Sequence, residues 1–171
     1  MNDSQNYFSK RGGFSVPLPE GSTNHQVLTD SAQFFAVRFS PPHGKTHIVI
    51  QRFRSQLTIE NQEDFEAILE GVLLGIKEGV GSIRILEQKV QELEGGGWAA
   101  DLVLRVHVKK EDTLQRRRLI APGVVPPNSL FLISGVCSAE AFLVYRREFE
   151  EMIAGFAQTS TNTAPSSTTT G

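Results

Sequence analysis

Four histidines, His25, His43, His47 and His107, and a single cysteine, Cys137, are the side chains of this sequence best suited to metal or nucleophilic chemistry. His43 and His47 flank the end of a Pro41-Pro-His-Gly turn and could close on a metal together with a carboxylate, although they lack the helical pairing of a zinc motif. The plainer reading makes them surface histidines of a loop and an exposed strand face. Cys137 with a distant histidine would supply a nucleophile and base. It ends an apolar run, however, where a free cysteine behaves as a small hydrophobe, and no flanking residue depresses its pKa. Gly44-Lys45-Thr46 copies the end of a phosphate-binding loop, but Phe39 stands in place of the first glycine and a strand is expected to follow, so the N–H cradle does not form. Gly-x-Ser-x-Gly is absent. These residues define no catalytic, cofactor or metal set. The expectation is a non-enzymatic chain without a cofactor; the alternative is a metal-dependent or small-ligand-binding protein built around His43 and His47.

Two further groups point to binding. Arg116, Arg117 and Arg118 lie on one expected strand, and Arg105, His107 and Lys109 alternate along the preceding one. On paired strands their exposed members would form a cationic patch suited to an acidic partner surface; the alternative is a solvated sheet face. No aromatic residues interleave with them to stack bases. Gly71, Gly75 and Gly79 recur every fourth residue along an expected helix, where each costs roughly 0.5–1 kcal/mol relative to alanine. Close packing against the sheet or the last helix would explain them, and a groove for a partner helix is the alternative. The candidate partner-binding set is therefore Arg105, His107, Lys109, Arg116, Arg118, Gly71 and Gly75.

The elements that must carry these residues follow from periodicity. Phe14, Val16 and Leu18 alternate with Ser15 and Pro17 as a short strand ending at the Pro19-Glu-Gly turn. Strands are expected at Gln26 to Thr29, Phe34 to Phe39 and Thr46 to Phe53, the last two as a hairpin across the proline-rich turn. From Asn61, an expected N-cap, Phe65, Ile68, Leu69, Val72, Leu73, Ile76 and Val80 fall on one helical face, with Gly79 and Gly81 as stops. Strands follow at Ile83 to Leu93 and Trp98 to Lys109. A Lys110-Glu-Asp-Thr turn then leads to Leu114 to Ile120. Leu130 to Val136 has the run of a central strand. Ser138 is the expected cap of a last helix whose buried stripe is Phe142, Tyr145, Phe149, Met152, Ile153 and Phe156. The fold class is α+β, an antiparallel sheet of about six strands flanked by two main helices. Residues 6–157 form one domain between a flexible start (1–5) and a disordered Ser/Thr-rich tail (158–171), which has too little apolar surface to offset its chain entropy.

Composition agrees with one ordinary globular domain: 171 residues, 39% hydrophobic, 21% charged. A domain of this size buries roughly 70% of its unfolded surface. The net charge of -2 provides no global basic footprint for nucleic acid. One cysteine excludes an intrachain disulfide and favours a reducing, cytoplasmic compartment. The start lacks the succession of a signal peptide, and the stretch from Ala121 to Val136 is broken by prolines and falls short of the ~20 residues of a membrane helix.

The order of these segments, with Gly13-Phe-Ser-Val-Pro-Leu-Pro, Trp98, Arg116-Arg-Arg-Leu-Ile, Leu130-Phe-Leu-Ile-Ser-Gly and the aromatic helix from Phe142 to Gly155-Phe156, resembles the Mog/PsbP-like superfamily over residues 6–157. The resemblance implies an antiparallel sheet with flanking helices and a protein that works by binding other proteins rather than by catalysis. Members of that superfamily include a Ran-binding import factor, extrinsic photosystem II subunits, bacterial lipoproteins and chaperones of type VI secretion effectors. The jobs share a scaffold and not a chemistry. A lumenal targeting segment and an N-terminal lipoprotein cysteine are both missing here, which counts against two of these roles. The resemblance thus implies a protein partner of unspecified identity, as an adaptor or chaperone-like module. A structural subunit of a photosystem- or secretion-associated assembly is the alternative.

Overall fold

The chain begins with a short hairpin, β1 (Asn6–Ser9) and β2 (Phe14–Pro17), followed by the meander β3 (His25–Asp30), β4 (Phe34–Phe39) and β5 (His47–Arg54). Helix α1 (Gln62–Val80) leads to a second meander of longer strands, β6 (Ser82–Glu92), β7 (Gly97–Val108), β8 (Glu111–Pro122) and β9 (Ser129–Ser138). Helix α2 (Phe142–Gly155) and the two-residue strand β10 (Ala157–Gln158) close the described chain. A computed structural model describes residues 6–18, 25–40, 46–123 and 129–159. The Pro19-Glu-Gly and Pro41-Pro-His-Gly turns, with His43, Gly44 and Lys45, lie outside the described residues, as do residues 1–5 and 160–171.

The two meanders join as one seven-stranded antiparallel sheet, ordered β3-β4-β5-β9-β8-β7-β6, one strand more than expected. A small second sheet, β1-β2-β10, accompanies it. Strand β9 occupies the middle, which explains its mostly apolar run: helices pack on both sides of the sheet that it centres. The long strands pair along their length, Asp101 opposite Arg118 and Arg117 opposite Ser134. Because side chains alternate, every residue of β7, β8 and β9 is thereby assigned to one of two faces.

Each face has its own core. On one side Phe65, Ile68 and Leu69 of α1 pack on Ala100, Leu102, Leu104, Leu119, Leu130 and Leu132. On the other, Phe149, Met152 and Ile153 of α2, with Phe14 and Val16 of β2, cover Phe35, Val37, Ile48, Ile50, Phe131 and Ile133. Gly135 lets α2 sit close: a Cβ there would fall 2.5 Å from the Phe149 ring. The Phe14 ring stacks on Phe156 with centroids 5.6 Å apart, tying the small sheet to the end of α2.

Local chemistry sets the helix ends. Asn61 Oδ1 accepts from the Asp64 N–H at 3.0 Å, and the Asp64 carboxylate accepts from the Glu60 N–H at 2.9 Å, so two amide donors at the start of α1 are satisfied. Gly81 ends α1 at φ 90°, its N–H reaching Lys77 O at 2.7 Å. Gly79 stays within the helix. Ser138 does not cap α2: it ends β9, its hydroxyl accepts from the Ala141 N–H in a preceding turn, and Ala141 holds the N-cap position without a side-chain bond.

Three expectations need correction. Gln158 is not the start of a tail but pairs with Phe14 in β10, and Thr159 N–H donates to Gly13 O. Strand β8 begins at Glu111, so the reversal after Val108 needs only Lys109 and Lys110. Lys109, at φ 56°, therefore sits in the turn rather than alternating with Arg105 and His107.

Candidate functional site

Register divides the expected cationic patch between two opposed faces. Arg105 and His107 on β7 and Arg116 and Arg118 on β8 point to the α2 side, while Arg117 points to the α1 side. Arg116 is buried, and its guanidinium donates to Asp101 at 2.7 Å and Glu150 of α2 at 2.7 Å. Arg118 also reaches Asp101, at 3.3 Å. Arg105 bonds Asp112, opposite His107, through a forked contact. That contact holds the Asp112 carboxyl below its ordinary range. Arg116 and Arg118 are thus internal ion-pair residues that brace α2 on the sheet. The exposed remainder of the set on this face is Arg105 and His107, beside Arg84, which stands opposite Arg105.

An apolar feature lies on the same side of the sheet. Leu143 and Val144, in the first turn of α2, are 83% and 70% exposed. Arg146, one helical turn beyond Leu143, reaches Glu87 on β6 at 3.2 Å and lies over the Phe142 ring. Leu143 therefore sits on the flank of α2 that overlooks β6 and β7.

The expected packing role of the glycines does not hold. A Cβ on Gly71, Gly75 or Gly79 would meet no described atom within 4 Å, so none of the described residues approaches closely enough to require glycine. Gly75 instead belongs to the wall of a groove of about 420 Å³ between α1 and the sheet. The connectivity explains this opening. Helix α1 leaves β5 in the middle of the sheet and ends next to β6 at its edge, so it crosses the strands and leaves part of β5, β9 and β8 uncovered.

Four polar side chains stand on the otherwise apolar floor of this groove: His47, Gln51, Arg117 and Ser134. Arg117 lies opposite Ser134, and Ser134 opposite Val49, so they form one row across β8, β9 and β5. Arg117 donates through Nε and Nη2 to Gln115 Oε1, at 2.9 and 2.6 Å, and has no carboxylate partner among the described residues. Burial lowers its pKa to about 10. Ser134 is 3% exposed and its Oγ is without a hydrogen-bond partner among the described residues. Burial lowers the His47 pKa, helped by the positive charges of Arg38 and Arg117. Sequence reasoning named Arg117 only within the Arg triplet and passed over Ser134 and Gln51. The signal was present, since Ser134 is the one polar residue in Leu130 to Val136, but only register places it opposite Arg117.

The chemical candidates have separate locations. Cys137 is buried, its thiol directed at Leu114 O, and burial raises its pKa to about 11, so it rests as an unreactive thiol. No three His, Cys, Asp or Glu side chains converge on a metal position among the described residues. His47 faces two arginines, and His43 lies outside those residues. Thr46 leads directly into strand β5. No helix among the described residues is long and apolar enough to cross a membrane.

No family model matches the chain, and no curated protein matches it. Solved structures do. Cyanobacterial PsbP (CyanoP) from Synechocystis is similar with a TM-score of 0.66 at 10% identity, over 90% of this chain and 91% of that one. The Ran-binding protein Mog1p of Saccharomyces cerevisiae aligns with a TM-score of 0.54 at 10% identity, over 92% and 96% of the two chains. A Pseudomonas aeruginosa protein of unknown function, described as a putative regulator, gives 0.54 at 12% identity, over 94% and 96%. At these identities the likeness concerns the fold.

Proposed function

We propose that this chain, which has the Mog/PsbP-like fold, is a non-enzymatic protein-binding module, an adaptor or chaperone-like protein. The observation that carries the reading is the exposed apolar pair Leu143 and Val144 in the first turn of α2, on the side of the sheet that also carries the exposed Arg84. Exposed apolar side chains on a helix suit a partner surface that offers an apolar hollow. The Ran-binding activity named for the similar Mog1p supports a protein as partner. The chemically inert state of Cys137 supports a role without catalysis, and a single buried cysteine fits a reducing, cytoplasmic setting. A single domain carries this role, as the sequence pattern implies.

The test is quantitative affinity capture from native lysate with the wild-type chain and with a Leu143→Asp, Val144→Asp double variant. Both positions are exposed, so the variant should stay folded by circular dichroism. A stoichiometric partner held by the wild type and lost by the variant is the expected result. Capture of the same proteins by both chains would overturn this assignment of the surface.

A further inference from the structure

We propose that the groove between α1 and strands β5, β9 and β8 binds a small organic carboxylate, its oxygens on Arg117 and Ser134 and its apolar body against Val49, Phe53, Val72 and Ile76. This site lies on the opposite side of the sheet from Leu143 and Val144, so it stands or falls separately from the protein-binding reading.

Charge is the first support. The groove contains one guanidinium and, among its described lining residues, no acid. A mostly buried cation is costly unless paired, and Gln115 offers Arg117 only a neutral oxygen. That bond occupies Nε and Nη2 and leaves Nη1 without a partner among the described residues, at the outer end of a fork whose planar geometry matches a carboxylate. The second support is independent. Ser134 Oγ is buried and unpartnered among the described residues, and Ser134 lines the same groove on the strand next to Arg117. Buried hydroxyls in folded chains nearly always have a partner, and a carboxylate oxygen beside Arg117 would accept its proton in a hydrogen bond. His47 and Gln51 add polar groups at either side of that row.

Shape decides for an apolar body. Aliphatic and aromatic side chains form the walls, and the volume of about 420 Å³ falls within the range of small-molecule sites. Gly75 helps to keep that space open, because any larger residue on that flank of α1 would project into it.

The probes are octanoate and phenylacetate, with octanamide and inorganic phosphate as controls, titrated into isotope-labelled full-length protein. The readout is the NMR shift of the Arg117 Nε–H and of the Ser134 and Gly75 amides. Saturable shifts with the carboxylates, and at least tenfold weaker effects with the amide and with phosphate, are expected. Arg117→Met should abolish the response, and Ser134→Ala should weaken it about fivefold. Gly75→Leu, which has room for its side chain in the folded protein, should block the groove while leaving the fold intact. Carboxylate and amide binding equally would overturn the proposal, as would phosphate competing as well as octanoate. So would the absence of saturable shifts with the carboxylates. A short peptide with a central glutamate that binds where the free acids do not would assign the groove to a partner's acidic side chain and overturn the small-ligand assignment.

Discussion

Arg116 and Arg117 are neighbours in sequence and opposites in circumstance. Strand alternation sends Arg116 to the α2 face, where burial alone would lower its pKa but the hydrogen bonds it donates to Glu150 and Asp101 more than offset this and raise it. Arg117 goes to the α1 face, meets a glutamine instead of a carboxylate, and its pKa falls to about 10. The first arginine is a structural brace with its charge answered from within. The second is a desolvated charge answered by nothing ionic among the described residues. A guanidinium is thus read as scaffold or as binding group by what stands opposite it, not by its residue type.

The comparison is open to direct attack. Arg116→Met should give the largest effect, because it strips Asp101 and Glu150 of a shared partner. Breaking a buried pair costs about 3–5 kcal/mol. Glu150 can turn to water and Asp101 keeps Arg118, so a loss nearer about 2 kcal/mol is expected in urea unfolding. Arg117→Met should do the reverse and stabilise by about 1 kcal/mol, since it replaces an unpaired, mostly buried charge with apolar volume. Equal destabilisation by the two variants would erase the distinction between them.

A smaller effect is expected on α1. Gly71→Ala and Gly79→Ala should each raise stability by about 0.5–1 kcal/mol, because no neighbour among the described residues demands glycine there. A loss of stability at either position would restore the packing explanation. The smallest effect concerns pH. The folded-state pKa of His47 is depressed, so the unfolded chain takes up its proton first. The contribution is present above the ordinary histidine value of about 6.5 and is lost as pH falls through the folded value. His47→Gln should flatten that part of the stability profile, and the flattening should diminish in Arg117→Met, which removes one of the charges responsible.

Periodicity carried the architecture well. The stripes of α1 and α2, the central position of β9 and the antiparallel pairing of the long strands all follow from apolar spacing, because burial on one face or two writes itself into the residue pattern. Short elements left weaker traces. Strand β1 shows only Asn-Tyr-Phe-Ser, and β10 only Ala-Gln; both exist because the small sheet covers the aromatic cluster around Phe14 and Phe156. The two-residue turn at Lys109 was missed because lysine rarely takes a positive φ, and pairing of the long flanking strands overrode that preference.

The candidate sites divide along the same line. By itself the sequence determined that three consecutive arginines lie on a strand, that the cysteine ends an apolar run, and that glycines line one side of α1. Tertiary structure alone decided which arginine meets a carboxylate, since Asp101 and Glu150 come from a neighbouring strand and a distant helix. It also decided that the glycines face open space, because α1 must cross from the middle of the sheet to its edge. Spacing along a chain sets which face a side chain takes; only the packed layers set what that face meets.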